Sequence, residues 1–153
     1  MVNLKIIVLA GGLSPEREVS LASGSLIANS LMKSGHDVML LDLYFGINSK
    51  DFEPEYRNIK MNRYYSYKIS SNEPDLEKIK QEAYKSNKNS LIGEGVIDLC
   101  INADIVFMAL HGSIGENGKL QALFDIYGIK YTGTGFAGSL LAMNKNLSKE
   151  IMR

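Results

Sequence analysis

Residues 4–10 read LKIIVLA and run straight into Gly11-Gly12. A nearly unbroken apolar run rich in β-branched residues, stopped by a glycine pair, is the pattern of a strand buried on both faces of a parallel sheet. Working outward, the next periodic stretch opens near Ser20, a residue suited to an N-cap, and sets Leu21, Ala28, Leu31 and Met32 on one helical face. Ser34-Gly35 closes that helix, and residues 37–44 (DVMLLDLY) read as a second strand. Strand, helix, strand in this order is a right-handed βαβ crossover and predicts a parallel sheet.

Beyond it the pattern loosens. Residues 45–74 mix Asn, Ser, Tyr and Lys with no clean period, and we read residues 45–95 as an irregular insertion carrying a short hairpin around 64–69. Residues 75–88 read as a surface helix with Leu76, Ile79 and Ala83 on one side. Residues 96–103 read as a short helix leading into residues 104–110 (DIVFMAL), the clearest strand after the first. His111-Gly112 ends that strand and opens a glycine-spaced loop to Gly118. A helix over 119–127 stopped by Gly128, a short strand over 129–132, and helices over 136–143 and from 147 onward complete the chain. Alternating elements of this kind predict an α/β domain, doubly wound around a mainly parallel sheet.

The 153 residues carry 17 Lys plus Arg and 17 Asp plus Glu, a balance with no basic stripe, so neither nucleic acid nor an anionic membrane is an expected partner. One cysteine, Cys100, permits no internal disulfide, and with two histidines it makes no zinc-type cluster. Residues 1–5 lack the basic head and apolar run of a signal peptide, and no stretch approaches the roughly 18 apolar residues of a membrane span. The expected location is cytoplasmic.

In open α/β sheets ligands bind at the carboxyl ends of the strands, where glycine turns let backbone approach them. Three such turns stand out: GGLSPEREVS at 11–20, HGSIGENG at 111–118, and TGTG at 132–135 followed by Met143-Asn144-Lys145. With ALHGSIGENGKLQ, YTGTG and AMNK in order, the chain resembles the amino-terminal part of the D-alanine–D-alanine ligases of the ATP-grasp superfamily. The resemblance implies a Rossmann-like pre-ATP-grasp domain. It also implies roles for single residues. Glu16 matches the glutamate that holds the ammonium of the first D-alanine, so it is the residue closest to catalysis, and Val19 matches a position packing near that substrate's methyl. His111 matches a histidine near the substrate carboxylate and the phosphoryl-transfer region, and Lys145 a lysine reaching the ATP phosphates. Glu116 and Gln121 match residues expected to support the second loop. Two positions depart from the family pattern: Asn117 and Asn144 each stand where the family usually has Asp, which puts charge-dependent capping there in doubt.

By the same resemblance, the activity is ATP-driven joining of two D-alanines for cell-wall peptidoglycan, with ATP and magnesium held mainly by domains that would follow Arg153. Residues 1–143 are then the substrate domain and 144–153 the start of a connection to a central domain. Alone, the chain is expected to be inactive; the whole ligases are commonly homodimers, and sister enzymes take D-lactate or D-serine as second substrate. A stand-alone, non-catalytic D-amino-acid-binding module is the alternative. Residues 133–138 also match G-x-G-x-x-G, but that dinucleotide fingerprint belongs in a first βα turn, with an acid about 20 residues later.

Overall fold

The computed structural model describes residues 2–87 and 89–153. Strands β1 (Lys5–Ala10), β2 (Asp37–Asp42) and β3 (Ile105–Met108) form a parallel sheet in the order β2-β1-β3, with Val8 opposite both Leu40 and Phe107. The helices are α1 (Arg17–Lys33), α2 (Leu76–Asn87), α3 (Val96–Ile101), α4 (Ser113–Glu116), α5 (Lys119–Tyr127), α6 (Phe136–Met143) and α7 (Lys145–Ile151).

Because successive strand residues point to opposite faces, the apolar runs feed two cores. Ile6, Val8, Ala10, Val38 and Leu40 meet Leu21, Ala28 and Met32 of α1 on one face. Ile7, Leu9, Met39, Leu41 and Val106 meet Val96 and Cys100 of α3 and Leu120 and Phe124 of α5 on the other. Each large aliphatic side chain buried this way contributes about 1.5–3 kcal/mol relative to exposure. Helices on both faces of a parallel sheet are the doubly wound arrangement expected from the alternation of elements.

The insertion does not carry the expected hairpin. Its only β-bridge among the described residues is the antiparallel one of Arg57 to Val38, with Val38 N–H donating to Arg57 O and Arg57 N–H to Val38 O at 2.7 Å each. Tyr65 is instead drawn onto α1: Asn29 Nδ2 donates to Tyr65 O at 2.8 Å, Tyr65 N–H donates to Asn29 Oδ1 at 2.9 Å, and the Arg57 guanidinium lies 4.4 Å from the ring centre. With Phe52 and Tyr65 both buried beside α1, residues 52–67 serve as a cover over that face and over the free edge of β2, which would otherwise offer unpaired backbone. The surface helix is present as α2, with Ala83 buried and Ile79 packed beside Tyr44 and Phe45; Lys88, at its expected end, lies outside the described residues.

Other boundaries shift for identifiable reasons. β2 stops at Asp42 rather than at residue 44, because the Asp42 carboxylate accepts from the N–H groups of Tyr44 and Phe45 and turns the chain. The expected strand over 129–132 reduces to one parallel bridge of Tyr131 to Val106. The loop after His111 contains the single turn α4, and α7 begins at Lys145, capped by Asn144 Oδ1 accepting from Leu147 N–H at 3.1 Å. Asn144 therefore performs the capping for which its missing charge had raised doubt. No described helix is long and apolar enough to cross a membrane.

Candidate functional site

The strand order places β1 in the centre, with chain continuing to β2 on one side and to β3 on the other. The crevice between the carboxyl ends of β1 and β3 is where such folds accept ligands. Two loops line it, the one after β1 and the one after β3, and three serines stitch them together.

Ser20 Oγ accepts from Gly11 N–H at 2.9 Å and donates to Ala109 O at 2.7 Å, joining the two strand ends. Ser20 thus lies inside α1 and not at its cap. The helix starts three residues earlier, because Ser14 turns the chain: Arg17 N–H donates to Ser14 O, Glu16 N–H donates to Ser14 Oγ, and Ser14 Oγ donates to His111 O, each at 3.1 Å. Ser23 Oγ stands 3.4 Å from His111 Nε2. These contacts fix where Glu16 and His111 stand relative to each other. Gly112 has φ +82°, and a Cβ there would lie 3.2 Å from Glu16 Oε2 and 3.1 Å from Ser14 Oγ. The Glu16 carboxylate therefore hangs directly over the Gly112 backbone, next to His111.

Glu16 is exposed at the loop tip and His111 half-buried, so both can be reached by a small solute. Val19, on the first turn of α1, is 49% exposed, which removes it from the core. Lys145 is not brought to this cluster. It opens α7, is exposed, and lines a separate shallow depression with Leu140, Met143, Asn144 and Asn146.

Gln121 is buried, and its Nε2 donates to Gly115 O at 2.7 Å, which supports the second loop from beneath. Residues 133–138 follow the Tyr131 bridge at the far side of the sheet, away from the first βα turn in which a dinucleotide fingerprint acts.

Behind the crevice sits a pair not singled out from the sequence. Arg17 and Asp42, 4% and 0% exposed, form a buried ion pair through Nη2 and Oδ2. Arg17 Nη1 also donates to Gly12 O at 3.1 Å, and its guanidinium lies 5.0 Å from the Phe45 ring centre. Gly11, φ +72°, has room for no Cβ, which would stand 2.6 Å from Asp42 Oδ2. The signal for Arg17 was present: residues 17, 21, 24 and 28 share one helical face, and Leu21, Gly24 and Ala28 are all buried. Among the described residues no group of three or more His, Cys, Asp or Glu is arranged to hold a metal ion.

Comparisons with known proteins agree with this fold. The family model of the D-ala D-ala ligase N-terminus matches residues 5–134. The chain is 44% identical to the D-alanine–D-alanine ligase of Pediococcus pentosaceus over 154 residues, covering 97% of this chain and 42% of that protein. It is 43% identical to the ligase of Lacticaseibacillus casei over 153 residues, with the same coverage. The chain thus spans about two fifths of the length of these relatives. In fold it is similar to the crystal structure of a D-alanine–D-alanine ligase from Bacillus anthracis complexed with ATP, at a TM-score of 0.62 and 24% identity, covering all of this chain and 35% of that one. The chain belongs to the D-alanine–D-alanine ligase family and corresponds to its amino-terminal domain.

Proposed function

We propose that this domain holds the first D-alanine for an ATP-dependent D-alanine–D-alanine ligase, with Glu16 as the group that receives the substrate ammonium. The placement of the Glu16 carboxylate over Gly112 and beside His111 carries the reading. A zwitterionic amino acid needs an anion for its ammonium, an apolar contact for its side chain and a polar group for its carboxylate. These three roles are assigned to Glu16, Val19 and His111 respectively. A charge-assisted hydrogen bond to the ammonium sets its direction as well as its affinity. The substrate carboxylate, turned toward His111, then attacks the γ-phosphorus of ATP, the bond to the β-phosphate breaks to release ADP, and the amine of a second D-alanine displaces phosphate from the acylphosphate.

In such phosphoryl transfer the protein acts mainly by positioning and charge neutralisation. Lys145, exposed at the start of α7 and paired with no carboxylate among the described residues, is the one residue here assigned to the ATP phosphates. Magnesium and most nucleotide contacts are assigned to the part of the relatives that this chain does not span. Residues 144–153 lead toward it, and the chain alone is inactive. The dipeptide product serves peptidoglycan synthesis in the cytoplasm, in a homodimeric ligase.

A chimera tests the reading. This chain replaces the matching portion of the Pediococcus pentosaceus ligase, and D-alanine-dependent phosphate release is measured. Activity in the chimera, its loss in Glu16→Gln and none in the isolated chain are expected. A chimera indifferent to Glu16→Gln would contradict the assignment.

A further inference from the structure

The Arg17–Asp42 pair poses a physical question that stability does not answer. Arg17 is the first residue of α1, where a cation opposes the helix dipole. Burying its charge against Asp42 also costs desolvation that the pair's attraction does little more than offset. What the pair supplies is geometry. A guanidinium is a rigid planar fork, and here it is engaged from several directions. Nη2 meets Asp42, Nη1 donates to Gly12 O at 3.1 Å, Asp51 Oδ2 stands 3.8 Å away, and the guanidinium lies over Phe45. Asp42 is held just as firmly, its Oδ1 accepting from Tyr44 N–H at 2.8 Å and Phe45 N–H at 3.1 Å. The side chain directly after Glu16 is thereby locked to the ends of β1 and β2, while Ser14 and Ser20 lock the same turn to the end of β3.

We propose that Arg17 and Asp42 are positioning residues for Glu16: their buried ion pair fixes the first turn of α1 so that the Glu16 carboxylate stands over Gly112 and faces the amino-acid substrate. The inference rests on the role given above to Glu16, but the placement itself can be read without any ligand. Glu16 belongs to a short surface turn, and without the fork beneath it the carboxylate would sample orientations away from Gly112. Loss of such a support loosens a site without removing any group that touches substrate.

The test uses this chain with Arg17→Met/Asp42→Asn. The amide oxygen introduced by Asp42→Asn can still accept from the Tyr44 and Phe45 N–H groups, and no unpaired buried charge remains, so the fold is expected to survive. Two quantities are read: nuclear Overhauser contacts between the Glu16 side chain and the Gly112 Hα protons, and D-alanine affinity. The expected result is an unchanged melting temperature, loss of the Glu16–Gly112 contacts and at least about tenfold weaker D-alanine binding. Retained contacts and affinity in the folded double variant would overturn the proposal. If the parent chain shows the contacts but binds no D-alanine, the substrate assignment fails, and loss of the contacts in the variant alone decides the positioning role. Should the double variant not fold, Arg17→Lys replaces it. That variant keeps the charge but not the fork, and Glu16–Gly112 contacts as strong as in the parent chain would then overturn the proposal.

Discussion

Ser20 Oγ donates to Ala109 O at 2.7 Å while accepting from Gly11 N–H at 2.9 Å, so a side chain of α1 closes the gap between the ends of two adjacent strands. Ser20 is fully buried. Ser20→Ala leaves a backbone donor and a backbone acceptor unpaired, each costly when buried. We expect about 2–3 kcal/mol lost in urea unfolding, well above the few tenths that alanine returns in helix propensity. A variant as stable as the parent would show that the strand ends do not depend on this serine.

Gly24 sets a similar contest. As a helix-interior residue its replacement by alanine gains about 1 kcal/mol of propensity. An added Cβ, however, would stand 2.8 Å from Ala10 Cβ and 3.1 Å from Leu40 Cδ1, at the α1–sheet contact. Overpacking of this kind costs about 1–3 kcal/mol, so Gly24→Ala is expected to lower the melting temperature. An increase would mean that α1 can slide outward freely.

The elements carried by strong periodicity were legible: β1, α1, β2, β3, α5 and α6 all arise where apolar spacing placed them. Where the sequence misleads, a side chain has displaced a backbone pattern. Ser20 looks like a cap because serine caps helices, but its hydroxyl is spent on Gly11 and Ala109, and the turn is made by Ser14 instead. The residues around Tyr65 alternate like a strand, yet Asn29 satisfies the Tyr65 backbone and the ring goes into the core. In the candidate site, Glu16 and His111 were singled out through motif order, since they lie after strand ends far apart in sequence. Asp42 was hidden inside an apolar run, and its partner Arg17 among the charges of the loop. Their pairing depends on the β1–β2 register, which periodicity alone does not supply.

Gly112 tests the crevice without replacing any of the residues assigned to substrate. Gly112→Ala forces a side chain into a left-handed conformation and toward Glu16 Oε2. The expected outcome is about 1–2 kcal/mol of destabilisation with a larger, at least tenfold, loss of D-alanine affinity. Equal effects on stability and binding would indicate a general loosening instead.

Burial pushes the Cys100 thiol up to about 12 from an ordinary 9.0. The folded chain therefore keeps its proton where the unfolded chain loses it. Stability from this group is complete below pH 9 and drains away as pH rises from about 9 to about 12, by at most about 1.4 kcal/mol per pH unit. Cys100→Ala is expected to flatten that alkaline slope; Tyr56 and Tyr65, also raised by burial, act in the same direction and leave a remainder. At pH 8 a thiol reagent should label Cys100 only at the rate of unfolding. Fast labelling of the native chain would contradict its burial.

The crevice between the loops after β1 and β3 is proposed to receive D-alanine through Glu16. The most direct measurement is an amide NMR titration of the chain with D-alanine, L-alanine as control and Glu16→Gln as variant. Saturable shifts are expected for D-alanine, concentrated at Gly112, His111 and the Glu16–Val19 turn, absent with L-alanine and abolished by Glu16→Gln. Shifts elsewhere, or shifts in the crevice that survive Glu16→Gln unchanged, would contradict it.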